Sequence, residues 1–113
     1  MSARATSDFV VRAVLRKVHA EGGSATILAK GEEMSGAILV CVLERGKNPR
    51  FLERMPSLDG GSTLAPTGPS NLENEAEATA YWQRRRERDP DLWVVELDIA
   101  QAERFAAGII APG

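Results

Sequence analysis

The stretch Gly36 to Glu44 constrains the fold more than any other part of the chain. Ala37, Leu39, Cys41 and Leu43 alternate there with Ile38, Val40 and Val42, and both sets are apolar. Successive side chains of a strand point to opposite faces, so this pattern predicts a central strand covered on both sides. A chain of 113 residues is the size of one domain. A sheet covered on both sides by only two or three helices is hard to build from such a chain, so a partner subunit is expected on the second face.

The other elements arrange themselves around that strand. Val11, Val14, Leu15 and Val18 recur at helical spacing, with Arg12, Arg16 and Lys17 on the other side. Asp8 is placed to cap this helix, Gly22-Gly23 to end it, and residues 1–7 to fray before it. Ser24 to Lys30 reads as a strand joined to the central one by the polar turn Gly31 to Ser35. After Gly46-Lys47-Asn48-Pro49 comes a third strand, Arg50 to Met55, and short connections between three successive strands imply an antiparallel meander. Residues 56–70, rich in Gly, Pro, Ser and Thr, read as a long loop.

Asn71 to Asp89 reads as a second helix, acidic at its start (Glu73, Glu75, Glu77) and basic at its end, which complements the helix dipole. Pro90 disfavours helical geometry at Asp89 and stops it. Asp91 to Asp98 switches to strand character, and a short helix from Ala100 to Ala107 precedes a Gly/Pro tail. The expected architecture is a single α+β domain over 1–113, in the order α-β-β-β-α-β-α. Its mostly antiparallel four-stranded sheet, the meander plus one strand after a helix, packs with two main helices.

Three stretches together resemble a bacterial family known as domain of unknown function 1491. They are Lys30-Gly31 followed by Gly36-Ala37-Ile38-Leu39-Val40; Asn48-Pro49-Arg50-Phe51-Leu52-Glu53-Arg54-Met55-Pro56; and Asp89-Pro90-Asp91-Leu92-Trp93-Val94-Val95-Glu96-Leu97-Asp98. The Asp-Pro-Asp-Leu-Trp stretch is the most specific. Glu32-Glu33-Met34 departs from the acidic-Pro-Asp turn the family leads one to expect, and the stretch between Pro56 and Asn71 matches poorly. The resemblance implies one compact bacterial cytoplasmic domain and carries over no catalytic residue.

Composition excludes some classes of function. Hydrophobic residues at 43% and charged residues at 27% are globular values and argue against general disorder. A net charge of -2 argues against a surface built as a whole for nucleic acid or anionic membrane, while leaving room for a local basic patch. A lone cysteine, Cys41, makes no internal disulfide. No segment approaches the roughly 20 apolar residues of a membrane span, and Met1 to Arg12 lacks a secretory pattern. These features read as a cytoplasmic protein with no membrane partner.

Few residues invite chemistry. His19 is the only histidine and falls in a last helical turn, where carbonyl and dipole contacts explain it. Cys41 lies in an apolar run, where a thiol behaves as a small hydrophobe. The two do not make a metal site, and the glycines form no phosphate loop, so no cofactor is expected. Arg84, Arg85, Arg86 and Arg88 form the strongest candidate, although a turn of about 100° per residue keeps them off a single face. They read first as a solvated helix end and second as a phosphate or nucleic-acid surface. Arg50, Arg54, Asp91, Trp93 and Glu96 form another set, which converges if the third and fourth strands are neighbours. Trp82 and Trp93 read first as core anchors. The favoured function is a non-enzymatic binding domain, self-associating through its sheet or a helix face. A nucleic-acid or nucleotide binder using Arg84 to Arg88 is the alternative, and an enzyme built on Asp91, Glu96 and Arg54 ranks last.

Overall fold

The computed structural model describes residues 5–111. The first helix, α1 (Ser7–Ala20), buries Val10, Val11, Val14 and Val18, the apolar stripe of an amphipathic helix. Its cap is Thr6 rather than Asp8. The Thr6 hydroxyl accepts from the Phe9 N–H at 3.1 Å, and Asp8, already in the first turn, pairs with Arg12 one turn on. Of the segment expected to fray, residues 1–4 lie outside the described residues. Ser7, by contrast, is buried and donates to the Gly36 carbonyl at 2.6 Å.

The chain continues through β1 (Ser24–Ala29), β2 (Ile38–Glu44), β3 (Lys47–Pro56), β4 (Ser62–Thr67), α2 (Glu75–Arg88), β5 (Trp93–Asp98) and α3 (Ala102–Ile110). Among the described residues this is an α+β fold with three helices and five strands in one mixed sheet, ordered β1-β5-β2-β3-β4. Its radius of gyration is 13.4 Å.

Two expectations about the sheet are corrected. The first concerns strand number. Residues 56–70 are not one loop, because they hold β4, which pairs with β3 from Phe51↔Thr67 to Pro56↔Ser62. Turn-rich composition hid this strand, and Pro66 is tolerated because β4 is an edge. The second concerns neighbours. The meander runs β2-β3-β4, while β5 sits between β1 and β2, antiparallel to β1 and parallel to β2. The physical reason is that β5 is apolar on both faces, with Trp93, Val95 and Leu97 on one and Leu92 (just before it) and Val94 on the other. The alternating β1 exposes Ser24 and Thr26. The doubly apolar strand takes the centre and the half-polar one the edge.

Both faces of the sheet are covered within the chain. On one face α1 and α3 pack on Ile38, Val40, Val42, Leu52, Trp93, Val95 and Leu97. On the other, α2 brings Ala78, Tyr81 and Trp82 onto Leu39, Cys41, Phe51, Leu92 and Val94. The Phe51 and Tyr81 rings lie 4.8 Å apart, centroid to centroid. The second apolar face of β2 therefore requires no partner subunit. α2 begins at Glu75, four residues later than expected, and is capped by Asn74, whose side chain accepts from the Glu77 N–H at 2.9 Å. Among the described residues no helix is long and apolar enough to cross a membrane.

Candidate functional site

Of the four clustered arginines, two are engaged inside the fold. Arg85 donates through Nη2 to both carboxylate oxygens of Glu53 at 2.9 Å and through Nη1 to the Tyr81 hydroxyl at 3.1 Å. Burial works against its charge, but the Tyr81 and Glu53 contacts outweigh it and hold the guanidinium above its ordinary pKa. Arg86 donates to three backbone carbonyls: Leu92 at 3.0 Å, Lys30 at 3.1 Å and Pro90 at 2.8 Å. Arg84 and Arg88 remain exposed, one turn apart. Two rows of the helix surface have thus been drawn onto the sheet and the loops, and the cluster does not present one basic face.

The Arg86 contacts belong to a junction that uses much of the sequence through which the family resemblance was read. Trp93 is fully buried, and its indole N–H donates to the Glu32 carbonyl at 2.8 Å. The Glu32 N–H donates to the Asp91 carbonyl at 3.0 Å, and the Trp93 N–H to Ala37 at 2.8 Å. The Glu32 carboxylate accepts from the Met34 and Ser35 N–H groups, which hold its pKa below the ordinary carboxylate range. The same loop offers the Met34 and Glu33 carbonyls to the Ser7 and Asp8 N–H groups at the start of α1, donors that a helix cannot satisfy internally. A Cβ on Gly31 would stand 2.2 Å from the Asp91 carbonyl oxygen, and one on Gly36 would stand 2.3 Å from it. Close backbone approach explains both glycines.

The set Arg50, Arg54, Asp91, Trp93 and Glu96 does not converge. β2 separates β3 from β5, so the expected cross-strand pairing of arginines with carboxylates is not made. Arg50 bridges Glu44 at 3.2 Å and Glu103 at 2.9 Å, and its buried Nε has no hydrogen-bond partner among the described residues. Arg54 donates to the Ile110 carbonyl at 3.4 Å. Asp91 is exposed at the junction, and Glu96 lies on the α2 side near Cys41. Trp93 is the core anchor its size suggested, and Trp82, on α2, is partly buried against the sheet.

Sequence reasoning missed a cleft at the carboxyl ends of the parallel pair β2 and β5, the place where open sheets with parallel strands receive ligands. One lobe, about 750 Å³, is lined by Gly22, Gly23, Glu44, Lys47, Asn48 and Gln101 among others. The other, about 630 Å³, is lined by Cys41, Glu73, Glu75 and Glu96. Asp98 lines both. Its two oxygens accept from the Arg45 and Gly46 N–H groups at 2.9 and 2.7 Å. They hold a tight turn in which both residues have positive φ. Burial, then Glu75, then Asp98 push the Glu96 carboxyl above the ordinary range. Burial and Glu96 push the Cys41 thiol up to about 12, leaving it protonated and unreactive. Among the described residues no three His, Cys, Asp or Glu side chains are placed to hold a metal ion. His19 stands apart from the cleft, its Nε2 3.2 Å from the Ala25 carbonyl. No local sequence pattern signals the cleft, because the parallel pairing of β2 with β5 joins segments far apart in the chain.

The comparisons agree with this architecture. A crystal structure of a DUF1491 family protein from Caulobacter crescentus CB15 is 27% identical over 90% of this chain and 94% of its own, with a TM-score of 0.73. A solution structure of a protein from A. tumefaciens is 26% identical over 97% and 94%, also at 0.73. An NMR structure of a DUF1491 family protein from C. crescentus CB15 is 28% identical over 98% and 97%, at 0.75. None of the curated proteins compared matches the chain. The family described as "Protein of unknown function (DUF1491)" matches residues 5–107, and the chain belongs to that family.

Proposed function

We propose that this protein is a non-enzymatic binding domain that associates with a second copy of itself along the β1 edge of its sheet. The observation that carries this reading is the character of β1. It is an edge strand of six residues, Ser-Ala-Thr-Ile-Leu-Ala, with neither charge nor proline. Natural proteins usually blunt an exposed edge with one of these, because its free N–H and C=O groups template another strand. The opposite edge, β4, carries Pro66. His19 meets the Ala25 carbonyl, and among the described residues no other strand lies outside β1. Further support comes from the residues that looked chemical: Arg50, Arg85, Arg86 and Trp93 are each held by partners within the fold.

Sedimentation equilibrium across the micromolar range tests the reading. The wild type should associate, and Thr26→Lys, at an exposed position on β1, should be monomeric, since paired strands would bring two lysines onto one face. Thr63→Lys on β4 serves as the control and should associate like the wild type. A monomeric wild type, or a Thr26→Lys variant that associates equally well, refutes the proposal.

The nucleic-acid alternative keeps the exposed pair Arg84 and Arg88. Two phosphate contacts give a log–log salt slope of only about −1.8 on duplex DNA. Binding at low salt that Arg84→Ala with Arg88→Ala abolishes would favour it over the first reading.

A further inference from the structure

We infer that His19 is a latch on the β1 edge, a proposal that rests on the β1 reading above and adds how that edge is regulated. The imidazole occupies the place where a second copy's strand would pair. Association through β1 then requires the ring to swing away, and the resting chain is self-inhibited at this point.

The geometry begins with the edge itself. β1 has a neighbour on one side only, β5. Along an antiparallel strand the backbone groups turn alternately toward that neighbour and away from it. The Ala25 carbonyl is met by a side chain of α1, which is no part of the sheet: the His19 Nε2 stands 3.2 Å from its oxygen. A carbonyl only accepts, so Nε2 carries the proton of this bond. An incoming strand would bring its own backbone nitrogen to about 2.9 Å from an outward carbonyl oxygen. Ring and strand therefore compete for one acceptor and for the space beside it. Covering an edge is a recognised way of blunting it, and here a single side chain does so.

The chain connectivity places the latch. α1 ends at Ala20 and β1 begins at Ser24, so a short turn joins the helix to the strand it covers. That turn is fixed: Gly22 has a φ of 87°, and a Cβ on Gly23 would stand 2.6 Å from Ile99. Val18 is fully buried and pins the last turn of α1 to the sheet. His19 is itself exposed, so swinging the ring into water costs one exposed hydrogen bond and little packing. The hydrogen bond of the ring goes to β1 and not to the carbonyls of its own helix end. A cleft role does not account for this histidine, which lines neither lobe.

A two-fold pairing of β1 with its copy opens two latches, one in each chain. Each costs one exposed hydrogen bond, and the pair should weaken association roughly tenfold. Sedimentation equilibrium of His19→Ala should accordingly give a dimer about ten times tighter than the wild type. His19→Gln keeps an N–H donor at similar reach and should stay close to the wild type. His19→Ala combined with Thr26→Lys should be monomeric, which locates the gain at the β1 edge. His19 is the only histidine, so its ring nitrogen signals in an NMR spectrum report on it alone. They should move as wild-type concentration rises and stay fixed in Thr26→Lys. These signals belong to the native chain and test the latch even where His19→Ala loses stability.

The latch is overturned if the wild type associates and His19→Ala associates no more tightly, a result that leaves the β1 reading standing. It is also overturned by gained association that survives Thr26→Lys, or by ring signals that stay fixed while the wild type associates. If the wild type and His19→Ala are both monomeric, the β1 reading falls and the latch with it. A monomeric wild type beside an associating His19→Ala supports the latch and refutes association of the native chain.

Discussion

Arg86→Ala removes three hydrogen bonds in one step, to the Leu92, Lys30 and Pro90 carbonyls. A hydrogen bond from a charged donor contributes roughly 1.5–3 kcal/mol. The bonds to Lys30 and Pro90 are exposed, where water replaces the donor readily. The bond to Leu92 is part-buried and counts nearly in full. The sum expected is a loss of about 2–3 kcal/mol, with the exposed pair discounted heavily. For a chain of this size that lowers Tm by about 10 °C. Urea unfolding followed by tryptophan fluorescence measures the loss, since Trp93 sits inside the junction. Hydrogen exchange should show the Glu32 and Trp93 amides, which bond to Asp91 and Ala37, opening faster. Arg86→Lys should recover only part of the stability, because an ammonium cannot fork across three separate carbonyls. Arg84→Ala, at an exposed neighbour, should stay within about 0.5 kcal/mol of the wild type. If Arg86→Ala is as stable as Arg84→Ala, or loses stability with the two amides still protected, the junction does not hold the loop as described.

Three further outcomes are expected. Gly31→Ala places a methyl 2.2 Å from the Asp91 carbonyl oxygen and 2.7 Å from the Trp93 ring; overpacking of this kind should lower stability by about 1–3 kcal/mol in urea unfolding, and a neutral result would contradict the close approach. The Cys41 thiol, buried and pushed up to about 12, should react with a disulfide reagent at mildly alkaline pH only after denaturation, so native-state labelling at the rate of a free thiol would sink that assignment. Glu96 binds its proton more tightly folded than unfolded. Its contribution is therefore full below the unfolded carboxylate pKa and is lost as pH rises through the folded one. Glu96→Gln should consequently gain stability relative to the wild type as pH rises from acid to neutral, and a gain that is flat or reversed across that range would refute the sign.

The helices and the central strand were legible because local rules control them. Val11, Val14 and Val18 recur at the helical period, Gly22 ends α1 with a positive φ, and Asp89 before Pro90 ends α2. The double apolar face of β2 announced a covered strand, and every residue from Ile38 to Val42 is buried. Strand β4 was not legible, because Gly, Pro, Ser and Thr mark turns as readily as an edge strand. Nor was the fate of the arginines. Arg84 to Arg88 look alike in sequence, yet the 100° step carries Arg85 to Glu53 and Arg86 to the junction while Arg84 and Arg88 face solvent.

The sequence by itself determined which segments are helix and which are strand, β4 excepted, that an α+β fold would result, and that β2 would be its centre. These depend on neighbours three or four residues apart in a helix, or two apart in a strand. Only the tertiary structure decided that β5 enters between β1 and β2, that α2 rather than a partner covers the second face of the sheet, and where the cleft lies. Those outcomes follow from burying doubly apolar strands at the centre of one sheet, a competition among segments far apart in the chain that no local pattern records.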